Sequence, residues 1–519
     1  MKKWIKRLAF VLGFFVLLIV GYLYKNLYDR HSGYSIDLQI KNSPPKQFSA
    51  GFGAVSITPE IVDTWTDANG DARYFEEDGD TYNDNNGNGK FDVYWIAGFD
   101  NRRAANGVHD QLWARAMVID DGTSRIAIVS LDAIGFGSDD VIDLKKYISA
   151  EANIDYCIVT STHTHEAPDL IGIWGDSEFS SGVNPEYMEM VQKNGAIAVI
   201  DAARSLRPVT LRFAQDLEGA KEFVEDSRKP YILDPGVRLI QAVDLETKET
   251  IGTLFAWANH PETLWNANLL LSSDFPHFIR HYVENGISSG DSLIAEGLGG
   301  TVVYINGSIG GLMTTSPEMK ITDRIEGTSY TVPSFEKADA QGKMLALVGL
   351  QALQDSSVVE VNEGAISVIA KTIYLPLDNP LFRLAASLGV LDRGMTGWFK
   401  MRSEMAAMTI GPASFLTVPG EIYPEIVNGG VETPEGADFH VEPLEVPGLR
   451  SQMPGQYRFV IGLANDMIGY IIPKSEWDEE APYIYGLPES PYGEINSISP
   501  EVAPIIYKEA KMLIQELKK

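Results

Sequence analysis

The run Ser161-Thr-His-Thr-His-Glu-Ala-Pro-Asp169 sets His163 and His165 two residues apart, directly after the apolar stretch Tyr156-Cys-Ile-Val-Thr160. That stretch reads as a short buried β-strand ending in a loop. Residues two apart in extended backbone point to the same side, so both imidazoles can enter one space. Such a pair suits a transition metal, or a metal with an acid/base helper beside it. One core histidine and one surface histidine is the plainer alternative for an isolated pair. Here the same layout recurs along the chain. Arg125 to Leu131 leads to Asp132, and Ile251 to Trp257 leads to Asn259-His260-Pro261-Glu262. Ser414 to Val418 leads to Pro419-Gly420-Glu421, and Tyr457 to Ile461 leads to Asn465, Asp466 and Tyr470. His109 opens one more apolar run, Leu112 to Ile119. In α/β sheets, ligands gather beyond the carboxyl ends of strands, where each loop adds a side chain to a shared crevice. Together the clusters predict a metal hydrolase site.

The elements that must position these groups come from a chain of 519 residues, 45% apolar and 22% charged, ordinary values for a globular protein. Short apolar runs alternate with loops and helical stretches, which predicts a mixed α/β architecture with one large catalytic domain. The last segment, Pro500 to Lys519, has helical spacing and ends in lysines that suit a helix C-terminus. The net charge of -29 leaves nothing to form a phosphate-binding stripe, so nucleic acid is excluded as a partner. The one cysteine, Cys157, forms no intrachain disulfide and sits where core packing is expected.

Lys2, Lys3, Lys6 and Arg7 precede an unbroken apolar run from Leu8 to Tyr24. The run is long enough to cross a bilayer and lacks a convincing small-x-small cleavage site. The expected division is a basic stub and transmembrane signal-anchor over 1–25, a polar tether over 26–48 and the catalytic domain over 49–519. The basic residues stay cytoplasmic, which exports the catalytic part. Secretion after signal-peptide cleavage is the alternative.

An insertion at about 62–98 contains Asp84-Asn-Asn-Gly-Asn-Gly-Lys-Phe-Asp92. Asp84, Asn86, Asn88 and Asp92 occupy positions one, three, five and nine of a calcium loop, with Gly89 at the sharp turn. Position twelve is Trp95 rather than an acid, so this is no standard EF-hand; Asp78 and Asp80, or Asp67 and Asp71, are available to complete a shell. The reading is a structural Ca²⁺ that pins the long loop, against the simpler one of a solvated Asn/Gly turn. His277 and His281, four apart on an expected helix, read as helix-surface residues.

Six blocks in order resemble the neutral/alkaline non-lysosomal ceramidase family across most of the chain from Ala50 onward. They are Ala50-Gly-Phe-Gly-Ala-Val-Ser-Ile-Thr-Pro59, Gly107-Val-His-Asp-Gln-Leu-Trp-Ala-Arg-Ala116, Thr162-His-Thr-His165, Asn259-His260, Pro419-Gly-Glu421, and Ala464-Asn465 through Tyr470. The resemblance implies one catalytic Zn²⁺ held by His163, His260, Glu421 and Tyr470, with His165 as general acid/base. It also implies an oxyanion role for Arg228, and for His109 a role in positioning substrate or in supporting the groups that touch it. A lipid or N-acyl small molecule is the implied substrate, with the membrane engaged through the N-terminal anchor. An immunoglobulin-like C-terminal domain, present in many members, is expected to be absent. Two departures stand out. Glu166-Ala-Pro-Asp169 replaces the family's Ser-Gly-Pro-Gly, and Met313 falls where the family carries a serine, with Ser308, Thr314 and Thr315 nearby. The metal machinery is thus expected intact and the serine-dependent part altered. Hydrolysis of another amide or ester, or a non-catalytic calcium-stabilised surface binding protein, stand as alternatives.

Overall fold

Successive side chains in a strand face opposite ways, and this periodicity sorts the apolar residues into layers. A computed structural model describes residues 2–519. Its main sheets have nine and five strands and lie face to face. In the strand Arg125–Leu131, Ile126 and Ile128 point between the sheets, while Ala127, Val129 and Leu131 meet a helical layer. In Ile366–Pro376 of the smaller sheet, Ile366, Val368 and Ala370 point inward, and Ile369, Ile373 and Leu375 meet the opposite outer layer. The result is an α–β–β–α sandwich. Strands covered on both faces lose polar alternation, which is why they read as continuous apolar runs.

The longer helices are α1 (Lys2–Leu27), α2 (Ser138–Tyr147), α3 (Pro185–Arg204), α4 (Phe275–Asn285), α5 (Phe335–Ala352), α6 (Pro380–Leu388) and a C-terminal helix, Val502–Leu517. Asn184, Ser334 and Asn379 cap α3, α5 and α6 by accepting from first-turn N–H groups. The helix α3 crosses the first large-sheet strand, Ser49–Ser56, at very short range. A Cβ on Gly51 or Gly53 would lie 2.1 or 2.2 Å from the carbonyl oxygens of Ala202 and Ala198. Only glycine permits that approach, and it accounts for the Gly-Phe-Gly spacing.

The five apolar runs that end in polar clusters are all strands: Arg125–Leu131, Tyr156–Ser161, Thr250–Ala256, Ala413–Thr417 and Tyr457–Ile461. The first two pair in parallel in the larger sheet, and the last two pair in parallel in the smaller one. Thr250–Ala256 runs parallel to Thr301–Ile305. Parallel pairing sends neighbouring C-terminal ends to one edge. Hydrogen bonds from Asn465 N to Val159 O and from Gly462 N to Asn306 O then join the edges of the two sheets.

Residues 26–48, expected as a polar tether, are built into the fold. Asp37–Lys41 is an edge strand of the smaller sheet, and Ile36, Leu38 and Ile40 pack against the core between the sheets. The alternating apolar residues give this segment one face to bury, which a tether lacks. The insertion has its own small core, in which Trp65, Tyr74, Tyr82 and Phe91 meet.

Candidate active site

His163 leaves its strand with φ +70, a left-handed conformation that costs a non-glycine residue free energy and persists only where the surroundings impose it. Its backbone N–H donates to Ala133 O at 2.9 Å, and its ring Nδ1 lies 2.5 Å from Ile134 O. His260 is held in the same manner: its backbone N–H and ring Nδ1 both donate to Met313 O, at 2.9 and 2.8 Å. A carbonyl only accepts, so Nδ1 carries a proton in both rings and Nε2 is the atom left to face the carboxylate. Both Nε2 atoms face Glu421 Oε2, at 3.5 Å from His163 and 3.0 Å from His260. Asn306 coordinates the two loops, since its Nδ2 donates to Thr162 O and Asn259 O, each at 2.9 Å. Those carbonyls immediately precede the two histidines.

Glu421 and Tyr470 are direct partners in a two-residue parallel bridge, with Glu421 N donating to Gly469 O at 3.0 Å. The Tyr470 ring lies 6.4 Å from that of His260. His165 completes the group, its ring 5.0 Å from His163 and 5.7 Å from His260. Ligand atoms of His163, His165 and His260 all lie within 4.8 Å of one another. Gly98 makes room for His165, because a Cβ there would come within 2.5 Å of the imidazole. His165 Nδ1 is 3.4 Å from Glu262 Oε2 but poorly aligned, and neither ring nitrogen has a hydrogen-bond partner among the described residues.

Electrostatics separates the roles. Burial would raise the Glu421 carboxyl, but His163 and His260 outweigh it and hold Glu421 down to about 2. Burial lowers His260, yet its hydrogen bond to Glu421 and the charge of Glu262 leave it raised. His165 is driven well below the usual histidine range by burial, and further by His163 and His260. Burial, then the charge of Glu421, pushes the Tyr470 phenol far up. Two imidazoles that can give up their Nε2 protons, set around an ionised carboxylate, form a donor set that fits a divalent cation, and Nδ1–H to carbonyl bonds are the usual way such ligands are oriented. A neutral imidazole with two free nitrogens beside them is a competent proton acceptor.

His163, His165, Glu421 and Tyr470 form the floor of an apolar pocket, with His260 behind them. Buried Ile134 and Ile171 line its depth, whereas half-buried Ile173, Trp174 and Phe382 and exposed Tyr492 mark its mouth.

No protein-family model matches the chain. Among solved structures, the neutral ceramidase from Pseudomonas aeruginosa aligns with a TM-score of 0.62 and 14% identity over 91% of this chain and 75% of that one. A ceramidase complexed with C2 aligns with a TM-score of 0.63 and 13% identity over the same shares. The chain has the neutral ceramidase fold.

Within that ceramidase fold, the residues expected to act together do not all meet. His163, His165, His260, Glu421 and Tyr470 converge. Arg228 does not line the pocket: its guanidinium is paired with Glu494 at 2.6 and 2.7 Å, and lies 5.3 Å over the Tyr423 ring. That carboxylate, far away in sequence, satisfies the fork that an oxyanion would need. His109 stacks on Phe335 at 3.6 Å and contacts Asp110, in a separate cleft that it shares with His277 and His281. Burial pushes the Cys157 thiol up to about 12, as suits an inert core residue.

The departures from the ceramidase pattern have structural duties. Glu166 pairs with buried Arg103, which also donates to the His165 carbonyl and so braces the histidine loop. Asp169 accepts from the N–H groups of Ile171, Gly172 and Trp174, and thereby shapes the pocket wall. Met313 is fully buried and contributes its carbonyl to His260. Thr314 Oγ1 donates to Glu262, the carboxylate beside His165, while Ser308 is engaged by Asp234. Glu262 stands in the polar cluster after its strand, but nothing in the spacing of Glu262 or Asn306 signals these contacts.

In the insertion, Asp84 accepts from the N–H groups of Asn88 and Gly89, and the Asn86 and Asn88 amides donate to Asp92.

Proposed function

We propose that the chain is a zinc-dependent amide hydrolase that cleaves the N-acyl bond of ceramide-like lipids to a fatty acid and a sphingoid base. The observation that carries this reading is the convergence of His163, His260 and Glu421 beside His165 at the floor of an apolar pocket that His163, His165 and Glu421 line. His163, His260, Glu421 and Tyr470 would hold the zinc. When bound, such an ion supplies Lewis acidity toward a carbonyl and acidifies water. His165, neutral at pH 7, takes a proton from water as the new C–O bond forms, and returns it to the amine nitrogen as the C–N bond breaks. Glu262 lies against the imidazolium formed between those steps and stabilises its charge. The apolar wall takes the acyl chain. Arg228 and His109 act outside the reacting atoms, Arg228 by holding Tyr423 and His109 in its own cleft.

The reading extends to the rest of the chain. Asp84, Asn86, Asn88 and Asp92 hold a structural Ca²⁺. The helix α1 is an uncleaved anchor with the catalytic part exported, supported by its membrane-length apolar stretch, Lys3–Leu27, and by bonds from Tyr22 and Asn26 to the carbonyls of Leu388 and Ser387. Met313 at the ceramidase serine position favours one second reading, a different N-acyl amide or ester as substrate.

The test is metal analysis of the purified protein, together with hydrolysis of ceramide, N-acyl amino acids and short esters with and without a chelator. One zinc per chain and chelator-sensitive release of fatty acid from ceramide are expected. A zinc-loaded protein that hydrolyses no N-acyl lipid overturns the proposal.

A further inference from the structure

The end of α1 is fastened to the domain at several points. Tyr22 Oη donates to Leu388 O at 2.6 Å and Asn26 Nδ2 to Ser387 O at 2.9 Å, both at the C-terminus of α6. Just beyond, Asp29 receives two bonds from Arg402 at 2.9 and 2.8 Å, and Arg30 pairs with Asp392 at 2.7 Å. A bilayer-spanning α1 therefore fixes which face of the domain meets the membrane surface, and α6 lies on that face.

That face is apolar where it meets solvent. Leu381 and Leu384, one turn apart on α6, are 57% and 49% exposed. Trp398 is 83% exposed; its ring lies 5.0 Å from Phe399, over which the Arg383 guanidinium of α6 sits at 5.2 Å. The cap residue Asn379 donates to the carbonyls of Ile495 and Ser497, which draws exposed Ile495 alongside α6. Leucines with an interfacial tryptophan and a basic side chain are the composition that settles at a bilayer surface. The same short helix reaches the catalytic pocket, because Phe382, between the two exposed leucines, lines its mouth with Tyr492.

We propose that Leu381, Leu384, Trp398 and Ile495 seat in the leaflet reached by the C-terminal end of α1, so that a lipid substrate passes from that leaflet past Phe382 into the pocket without crossing water. The occupant of this face is the lipid surface that α1 itself enters. The delivery step rests on the lipid amide reading above; the seating does not.

The test uses the full chain reconstituted into phosphatidylcholine vesicles. Brominated lipids should quench Trp398, read as the difference between the wild type and Trp398→Phe, since Trp4 in α1 supplies a quenched background. The pair Leu381→Asp and Leu384→Asp should lower hydrolysis of a long-chain N-acyl lipid in the same vesicles by roughly tenfold, and leave a short soluble N-acyl amide within about twofold. Absence of Trp398 quenching overturns the seating. Equal effects of the double variant on both substrates overturn the delivery. If the wild type hydrolyses neither substrate, the lipid amide reading and the delivery fall together, while quenching still decides the seating.

Discussion

The histidine cluster and the Asp84–Asp92 loop carry the same kind of sequence signal, ligand-type side chains at regular spacing, and fold to opposite ends. In the loop, the side chains serve the local backbone and one another, and most are exposed. In the cluster, the rings are buried, one backbone is left-handed and His165 has no partner for either nitrogen among the described residues. A buried polar atom left unpaired costs about 1–3 kcal/mol, whereas an exposed one is satisfied by water. The cluster is therefore left with polar atoms still to satisfy, whereas the loop satisfies its own.

The largest effect expected from breaking this contrast is at the metal donors. His163→Ala or His260→Ala should abolish stoichiometric zinc and lower activity by at least ~10³-fold, checked by elemental analysis beside turnover. Retention of full zinc in both variants would remove these residues from the donor set. His165→Asn comes next. It should keep the zinc while lowering turnover ~10²- to 10⁴-fold, and loss of the metal instead would make His165 a third imidazole ligand rather than the proton carrier.

The loop should respond more weakly. Saturating calcium is expected to raise Tm by about 2 °C or more in the wild type and not in Asp84→Ala, with zinc content and activity unchanged. No calcium shift in the wild type would make the loop a self-bonded turn.

The smallest effect concerns Glu425 and Glu476, buried like the histidines but bonded to each other. Burial pushes both carboxyls up, Glu476 to about 7, and the charge of Glu476 pushes Glu425 further. Below about 7 both folded carboxyls keep protons that the unfolded chain releases near the ordinary value of 4.5. The pair's stabilisation is thus complete below that pH and is lost as pH rises through about 7. Glu476→Gln should make this fall shallower in denaturation curves between those values, and an unchanged slope would place the titration elsewhere.

Much of the site was legible because strands covered on both faces read as apolar runs and their loops carry the chemistry. All five runs became strands, and the three histidines, Glu421 and Tyr470 lie just past their ends. The misreadings have physical causes. Arg228 was set in the active site by resemblance, but its charge is neutralised by Glu494, a partner that no local spacing reveals. The stretch 26–48 read as a tether because one short amphipathic strand, Asp37–Lys41, gives a weak signal beside the apolar run before it. The mouth of the pocket was also invisible, since Phe382, Trp174 and Tyr492 come from three distant segments.

The sequence by itself determined the mixed α/β class, the polar strand exits and the membrane-length helix, because each follows from local periodicity and composition. Only the tertiary structure decided which exits share one space, which nitrogens of His163 and His260 face Glu421 and which charges are already paired. Those depend on contacts between residues hundreds of positions apart, where burial strengthens every electrostatic interaction and leaves the unpaired His165 beside Glu262.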